Sequence, residues 1–250
     1  LMSSDNEFIC FINGEPADSI LVSDRGLSYG HGLFETIKIS NKISPLLRYH
    51  LERLTEGARA IGIACNEALL KKYFYQLLEM IPEDGVVKII VTAGSGKRGY
   101  FYNKPNSTCY ILQWYPIDTN FSLPRAQGVS LKCCQHRLPI SPLLSGIKHL
   151  NRLDQVVARA EWEDEFYDGL MLNQDDYVVE CVSSNIFIFK SGTWITPEIT
   201  ECGVAGVMRR YLMDDLFPST GYIVKEVKLA MNDLLSADEV FICNSIAGIL

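Results

Sequence analysis

Between Gly32 and Leu78 the apolar residues change period, and that change limits what the chain can fold into. GLFETIKISNKISPLL alternates in the manner of a half-buried strand, with Asn41 and Lys42 placed as a hairpin turn. From Arg48 onward Leu51, Leu54, Ala58 and Ile61 recur at three- and four-residue spacing, the period of a helix with one buried face. A second helix is predicted in NEALLKKYFYQLLEM, ended by Pro82. FICFINGEPAD before this stretch, closed by Asn13-Gly14, and VVKIIVTA and TCYILQWYP after it read as strands. Helices must then pack on a sheet, so the fold class is mixed α/β (α+β).

The second half continues the mixture. GVSLKCC reads as a strand and LNRLDQVVARAEWEDEF as a helix whose Leu150, Leu153, Val157 and Ala160 share a face. Short strands are predicted at GLMLN, YVVEC, NIFIFK and Trp194-Ile195, then a helix in AGVMRRYLMDDLF, a strand at YIVKEV, a capped turn in MNDLLSADE and a last strand EVFICN. DTNFSLPRAQG gathers Pro, Gly and Ser and is the best linker. A chain of 250 residues has room for two domains, set here as residues 1–118, a small α/β domain, and residues 119–250, the larger one.

Charge and composition exclude several classes of function. The net charge is −7, and no cluster of Lys and Arg is long enough to track a phosphate backbone, so nucleic acid is not expected as a partner. No apolar run reaches the roughly 20 residues of a membrane span, so no membrane role is expected. The eight cysteines include no C-x-x-C pair and mostly sit in apolar segments, as reduced core residues of a cytoplasmic protein do. LMSSDNEFIC has neither a basic n-region nor a long apolar h-region, so no secretory signal is expected.

SGIKHLNRL places a lysine where it invites chemistry. A lysine taken alone is most often a solvated charge. Lys148, however, follows Gly146 and Ile147 and directly precedes an apolar helix face. A partly buried amine is more easily deprotonated, and a neutral amine can attack a carbonyl to form a Schiff base. Further on, Glu180 ends an apolar strand run in YVVECVSSNIF. It is either a strand-end carboxylate facing water or the group that keeps a pyridine nitrogen protonated at the base of a pocket.

SGIKHLNRLDQVVARAE, followed by DGLMLNQDDYVVECVSSNIFIFKSGTWITP and ECGVAGVMRRYL, resembles the fold type IV pyridoxal-phosphate enzymes, and among them most closely the aminodeoxychorismate lyases. FINGE, SDRGLSYGHGLFETIKI and YHLERL extend the resemblance over nearly the whole chain. It implies a two-domain fold with pyridoxal 5'-phosphate in the interdomain cleft, residues 119–250 being the cofactor-binding domain. It also implies a homodimer in which a loop of the neighbouring subunit reaches the pocket. Lys148 matches the Schiff-base lysine and Glu180 the partner of the pyridine nitrogen. Arg53, in YHLERL, matches the arginine that holds the cofactor phosphate, a task suited to its planar fork; a helix-surface ion pair with Glu52 or Glu56 is the plainer alternative. Val207 and Met208 fall where the family's phosphate-facing helix begins, and backbone N–H groups at a helix start hold anions without particular side chains. Ser245, beside Asn244, takes the position of another phosphate-contacting turn.

The resemblance implies a small-molecule substrate, 4-amino-4-deoxychorismate, from which pyruvate is eliminated to leave 4-aminobenzoate for folate biosynthesis. The D-amino-acid and branched-chain aminotransferases share the architecture and stand as the alternative. Arg152 occupies a position where aminotransferases commonly have tyrosine, and Met208 one where many have threonine. GSGKRGY resembles the lyases' loop, with Arg98 placed to receive a substrate carboxylate, or alternatively a plain hairpin with an exposed arginine. Glu35, in LFETIKI, fits the aminotransferase pattern instead. GSGKRG is no nucleotide loop, since GxxxxGK[ST] requires glycine where Val91 stands and Ser or Thr where Arg98 stands. His31, in YGHGLF, lies near the expected pocket and joins Arg98 and Arg152 as a substrate-binding candidate. His149 reads as structural because neighbouring residues rarely share a side-chain direction, and His50 and His136 read as ordinary. The histidines show no metal spacing, and no metal is assigned.

Overall fold

The computed structural model describes residues 8–102, 108–117 and 120–250. The start of the chain, residues 103–107 of the loop after Arg98, and the expected domain boundary at 118–119 lie outside the described residues. The chain divides into two compact units, one of residues Leu1–Thr119 with Lys148–Leu150, the other of Asn120–Ile147 with Asn151–Leu250.

In the first unit, β1 (Ile9–Ile12), β2 (Glu15–Pro16), β3 (Gly32–Ile39), β4 (Gly85–Thr92) and β5 (Cys109–Pro116) form one antiparallel sheet in the order β2-β1-β5-β4-β3. Helices α1 (Arg25–Tyr29), α2 (Leu47–Ala60) and α3 (Glu67–Met80) complete the unit, α2 packing on β3 and α3 on β5. The hairpin between β3 and α2 turns at Asn41 and Lys42, both with positive φ (50° and 59°), the pairing a tight two-residue turn requires. Alternation along β3 sends Leu33, Ile37 and Ile39 into the core, and with them Glu35. Leu51, Leu54 and Ala58 of α2 are buried, as their spacing predicts.

The second unit holds helices α4 (Ser122–Gln127) and α5 (Leu153–Arg159), and strands β6 (Leu131–Leu138), β7 (Asp168–Asn173), β8 (Tyr177–Cys181), β9 (Asn185–Lys190) and β10 (Thr193–Pro197). A long helical segment follows, made of α6 (Val207–Tyr211), a π-helical turn (Leu212–Leu216) and α7 (Phe217–Ser219). Next come β11 (Val224–Val227), β12 (Leu229–Ala230), α8 (Met231–Leu235), β13 (Glu239–Asn244) and β14 (Gly248–Ile249). They form two sheets, ordered β11-β10-β9-β13-β14 and β12-β8-β7-β6. Both β7 and β9 are buried on two faces: Leu170 and Leu172 pack with Ile186 and Ile188, while Met171 faces Trp162 and Val179 and Phe187 faces Leu212 and Phe217. Across the π turn the Phe217 N–H reaches back to the carbonyl of Leu212, and both side chains join the Phe187 cluster.

The stretch DTNFSLPRAQG, expected as the linker, contains the division between the two units and carries the helix α4, ended by Gly128 at φ 75°; proline tolerates the first helical turn. Two expectations are corrected. The turn expected in MNDLLSADE is the helix α8. The helix after Lys148 spans only Leu153–Arg159, and its apolar residues do not form a buried face, since Leu153, Val156 and Val157 are 76%, 61% and 51% exposed and Ala158 alone in the helix is buried.

Candidate active site

Lys148 is held by backbone pairing on both sides. Upstream, within the second unit, Gly146 adopts φ 77°, donates its N–H to the Gly203 carbonyl at 3.0 Å and accepts from Ala205 N–H at 3.1 Å. A left-handed residue of this kind turns the chain at little steric cost only if it is glycine. Two residues later the chain runs antiparallel to the outer edge of β3 in the first unit. Phe34 N–H donates to the Lys148 carbonyl at 3.0 Å, His149 sits opposite Leu33, and Leu150 N–H donates to the Gly32 carbonyl at 3.0 Å. The Lys148 ammonium lies 4.4 Å from the centre of the Phe34 ring, a cation–π distance. The Gly-Ile flank therefore delivers the lysine to a sheet edge, and the helix begins only after it.

Glu180, near the end of β8, is buried, and its Oε2 accepts from Val204 N–H at 2.9 Å. Val204 is the residue bridged to Gly146, so the segment 203–206 ties the carboxylate to the stretch of chain leading into Lys148. Gly206 starts α6 without a side-chain cap. A Cβ there would stand 1.9 Å from Asn185 Oδ1, whose own amide donates to the Val204 carbonyl at 3.0 Å. Val207 is buried and Met208 packs against the Phe187 cluster, which leaves backbone N–H groups as what this helix start offers an anion. Ser245 sits in the turn between β13 and β14, which Asn244 organises by accepting from Ile246 and Ala247 N–H at 2.9 and 2.8 Å.

In the first unit Arg53 meets a buried carboxylate that lies far from it in sequence. Its Nε donates to Glu35 Oε1 at 2.7 Å and its Nη2 to Glu35 Oε2 at 2.5 Å, and His50 Nδ1 lies 2.6 Å from the same Oε2. His50 and Arg53 are three apart on α2 and so face β3 together. Burial pushes the Glu35 carboxyl up, but the Arg53 charge and the His50 hydrogen bond outweigh it and hold the group at about 2. His50, expected to be ordinary, is instead fully buried in this cluster.

The substrate-binding candidates fall into three environments. Arg98 is exposed and makes no hydrogen bond or ion pair among the described residues. Arg152 turns back over the chain, its Nη2 donating to the Ile147 carbonyl at 3.3 Å. His31 has both ring nitrogens engaged, Nδ1 with Arg25 Nε at 3.3 Å and Nε2 with the Ile61 carbonyl at 2.9 Å. Arg25 was not singled out from the sequence. It is buried, with no carboxylate partner among the described residues, donating to the carbonyls of Gly99 and Tyr100 at 3.0 and 3.2 Å, with the rings of Tyr29 and Tyr102 4.7 and 5.5 Å away. Its place at the start of α1, capped by Asp24, is the local signal that could have pointed to it.

Among the described residues no group of histidine, cysteine and acidic side chains could hold a metal, and no helix is long and apolar enough to cross a membrane. The family model for amino-transferase class IV matches residues 32–250. The aminodeoxychorismate lyase of Vibrio harveyi is 33% identical over 96% of this chain and 88% of its own. The D-alanine aminotransferase of Bacillus licheniformis is 29% identical over 92% of this chain and 80% of its own. Among solved structures, the 4-amino-4-deoxychorismate lyase from Pseudomonas aeruginosa superposes with a TM-score of 0.92 at 41% identity, covering 96% of this chain and 89% of that one. The two-unit α/β architecture, the paired backbone around Lys148 and these likenesses converge on one conclusion: the chain belongs to the class IV aminotransferase family.

Proposed function

We propose that this chain is a pyridoxal-phosphate-dependent 4-amino-4-deoxychorismate lyase, releasing pyruvate and 4-aminobenzoate for folate biosynthesis. The likeness that carries it is to the Pseudomonas aeruginosa lyase, at 41% identity over nearly the full length. The residues present suit the cofactor. There is a lysine amine on a sheet edge, a buried carboxylate in Glu180, a guanidinium in Arg53, and a helix start at Gly206 whose backbone N–H groups carry no side-chain cap. Arg53, the N–H groups of Val207 and Met208, and Ser245 would hold the phosphate, and Glu180 would face the ring nitrogen. When bound, the cofactor supplies an electron sink for charge developing at the substrate's amine-bearing carbon.

Lys148 is the residue that would carry the cofactor covalently and then, as a free amine, take the proton from C4 of the substrate. Loss of that proton lets the C3–O bond break. The enolpyruvyl group leaves and is protonated to pyruvate, and the ring becomes aromatic. Arg98 is proposed to hold a substrate carboxylate and Arg152 to border the same substrate. His31, with both nitrogens engaged, contributes a ring surface instead of a hydrogen bond to the substrate. A homodimer is proposed as well: Leu143, Leu153 and Val156 of the second unit are 90%, 76% and 61% exposed, which a second copy would cover. A cytoplasmic location fits the eight free thiols.

The decisive test supplies the protein with chorismate, glutamine and the enzyme that forms aminodeoxychorismate, and follows 4-aminobenzoate, pyruvate and the cofactor's visible spectrum. Equimolar products without net pyridoxamine form are expected. A cofactor band that cycles with an amino donor and a keto acid but yields neither product would identify an aminotransferase instead.

A further inference from the structure

We propose that Glu35 and His50 are positioning residues that fix the rotation of the Arg53 guanidinium for a phosphate, an inference resting on the assignment of Arg53 to the cofactor phosphate. The strand period of β3 places Glu35 on the same face as Leu33, Ile37 and Ile39, where a carboxylate is costly unless every oxygen is engaged. Both are engaged: Oε1 takes Arg53 Nε, and Oε2 takes Arg53 Nη2 and His50 Nδ1. Since an ionised carboxylate only accepts, His50 must carry its proton on Nδ1.

A bidentate pair of this kind blocks rotation of the guanidinium about its bond to Cδ. Glu35 takes one edge of the planar fork, and the remaining N–H directions point away from Glu35. Replacing a buried ion pair by apolar side chains is often neutral or stabilising, so stability alone is a weak reason for three polar groups in this core. Orientation is a better one. The arginine of the pair is 11% exposed against 1% for Glu35, so the guanidinium is the member that reaches the surface of the cluster.

The test measures dissociation constants of the apoprotein for pyridoxal phosphate and for pyridoxal, which lacks the phosphate, by absorbance titration. Glu35→Gln is expected to weaken pyridoxal phosphate by about tenfold, the worth of a charge-assisted bond, and to leave pyridoxal within about twofold. Arg53→Ala should show the same selective loss, at least as large, and the double variant should lose little beyond Arg53→Ala because both act on one contact. Equal weakening of both ligands by Glu35→Gln, or weakening of neither, overturns the proposal. If Arg53→Ala itself shows no phosphate-selective loss, the assignment of Arg53 to the phosphate fails first. Should Glu35→Gln not fold, Glu35→Asp decides: it keeps the charge but draws the carboxylate back, and it too must lose affinity for pyridoxal phosphate selectively.

Discussion

Arg25 Nε donates to His31 Nδ1 at 3.3 Å, and this one contact sets the tautomer of the histidine: the proton must sit on Nε2, where it is given to the carbonyl of Ile61 at 2.9 Å. The same guanidinium holds the carbonyls of Gly99 and Tyr100, next to Arg98. His31→Phe keeps a ring beside Tyr102 but removes both hydrogen bonds. The expected result is a rise in KM of about two- to tenfold, the worth of one or two ordinary hydrogen bonds, with a smaller change in kcat. Amide exchange at Gly99 and Tyr100 should quicken in parallel, and a variant with unchanged KM and unchanged exchange would dissociate His31 from the loop.

Lys148→Ala should abolish the borohydride-trappable link to the cofactor and lower turnover by at least about 10²- to 10⁴-fold, the usual contribution of a positioned proton-transfer group. Mass spectrometry after reduction checks the first effect and a product assay the second. A trapped adduct at another lysine, with near-normal rate, would remove Lys148 from the chemistry.

Arg98→Ala should lower kcat/KM by roughly ten- to a hundredfold, corresponding to one charge-assisted hydrogen bond of about 1.5–3 kcal/mol. Because Arg98 is exposed and makes no hydrogen bond or ion pair among the described residues, the melting temperature should not move. An unaltered kcat/KM would show that the side chain is simply solvated.

The Glu35 carboxyl, held at about 2 against an ordinary 4.5, makes stability depend on acid. A depressed folded value means that the contribution is fully present above pH 4.5 and is lost as pH falls from there toward 2. Its size is on the order of 3 kcal/mol. Urea midpoints measured between pH 6 and 2 should fall more steeply for the natural chain than for Glu35→Gln, and parallel curves would mean that another carboxylate controls acid unfolding.

How far these features can be read from the sequence depends on what each residue meets. The alternation in GLFETIKI and the helical spacing of Leu51, Leu54 and Ala58 are local, and both elements stand where the pattern puts them. The same alternation marks Glu35 as inward-facing, yet its partners lie on the next helix, 18 residues away for Arg53, and no local period reveals a pairing across a turn. Spacing misleads at Leu153 and Val157, because an apolar side chain at helical period records only that something apolar can cover it, and among the described residues both stay exposed. The need for glycine at 206 is likewise invisible, since it comes from the amide oxygen of Asn185 on another element.

The π turn at Leu212–Leu216 works as a clutch between two stretches of helix. At about 100° per residue, a straight α-helix would carry Phe217 roughly 140° round from Leu212 and point one of them away from Phe187. The wider turn, closed by the bond from Phe217 N–H to the Leu212 carbonyl, brings both to the same side. The aromatic cluster is thus keyed to a count of residues, not to a length in ångströms. This stretch should accept changes of side chain more readily than the gain or loss of a single residue, because an altered count would turn everything beyond it out of phase with the sheet.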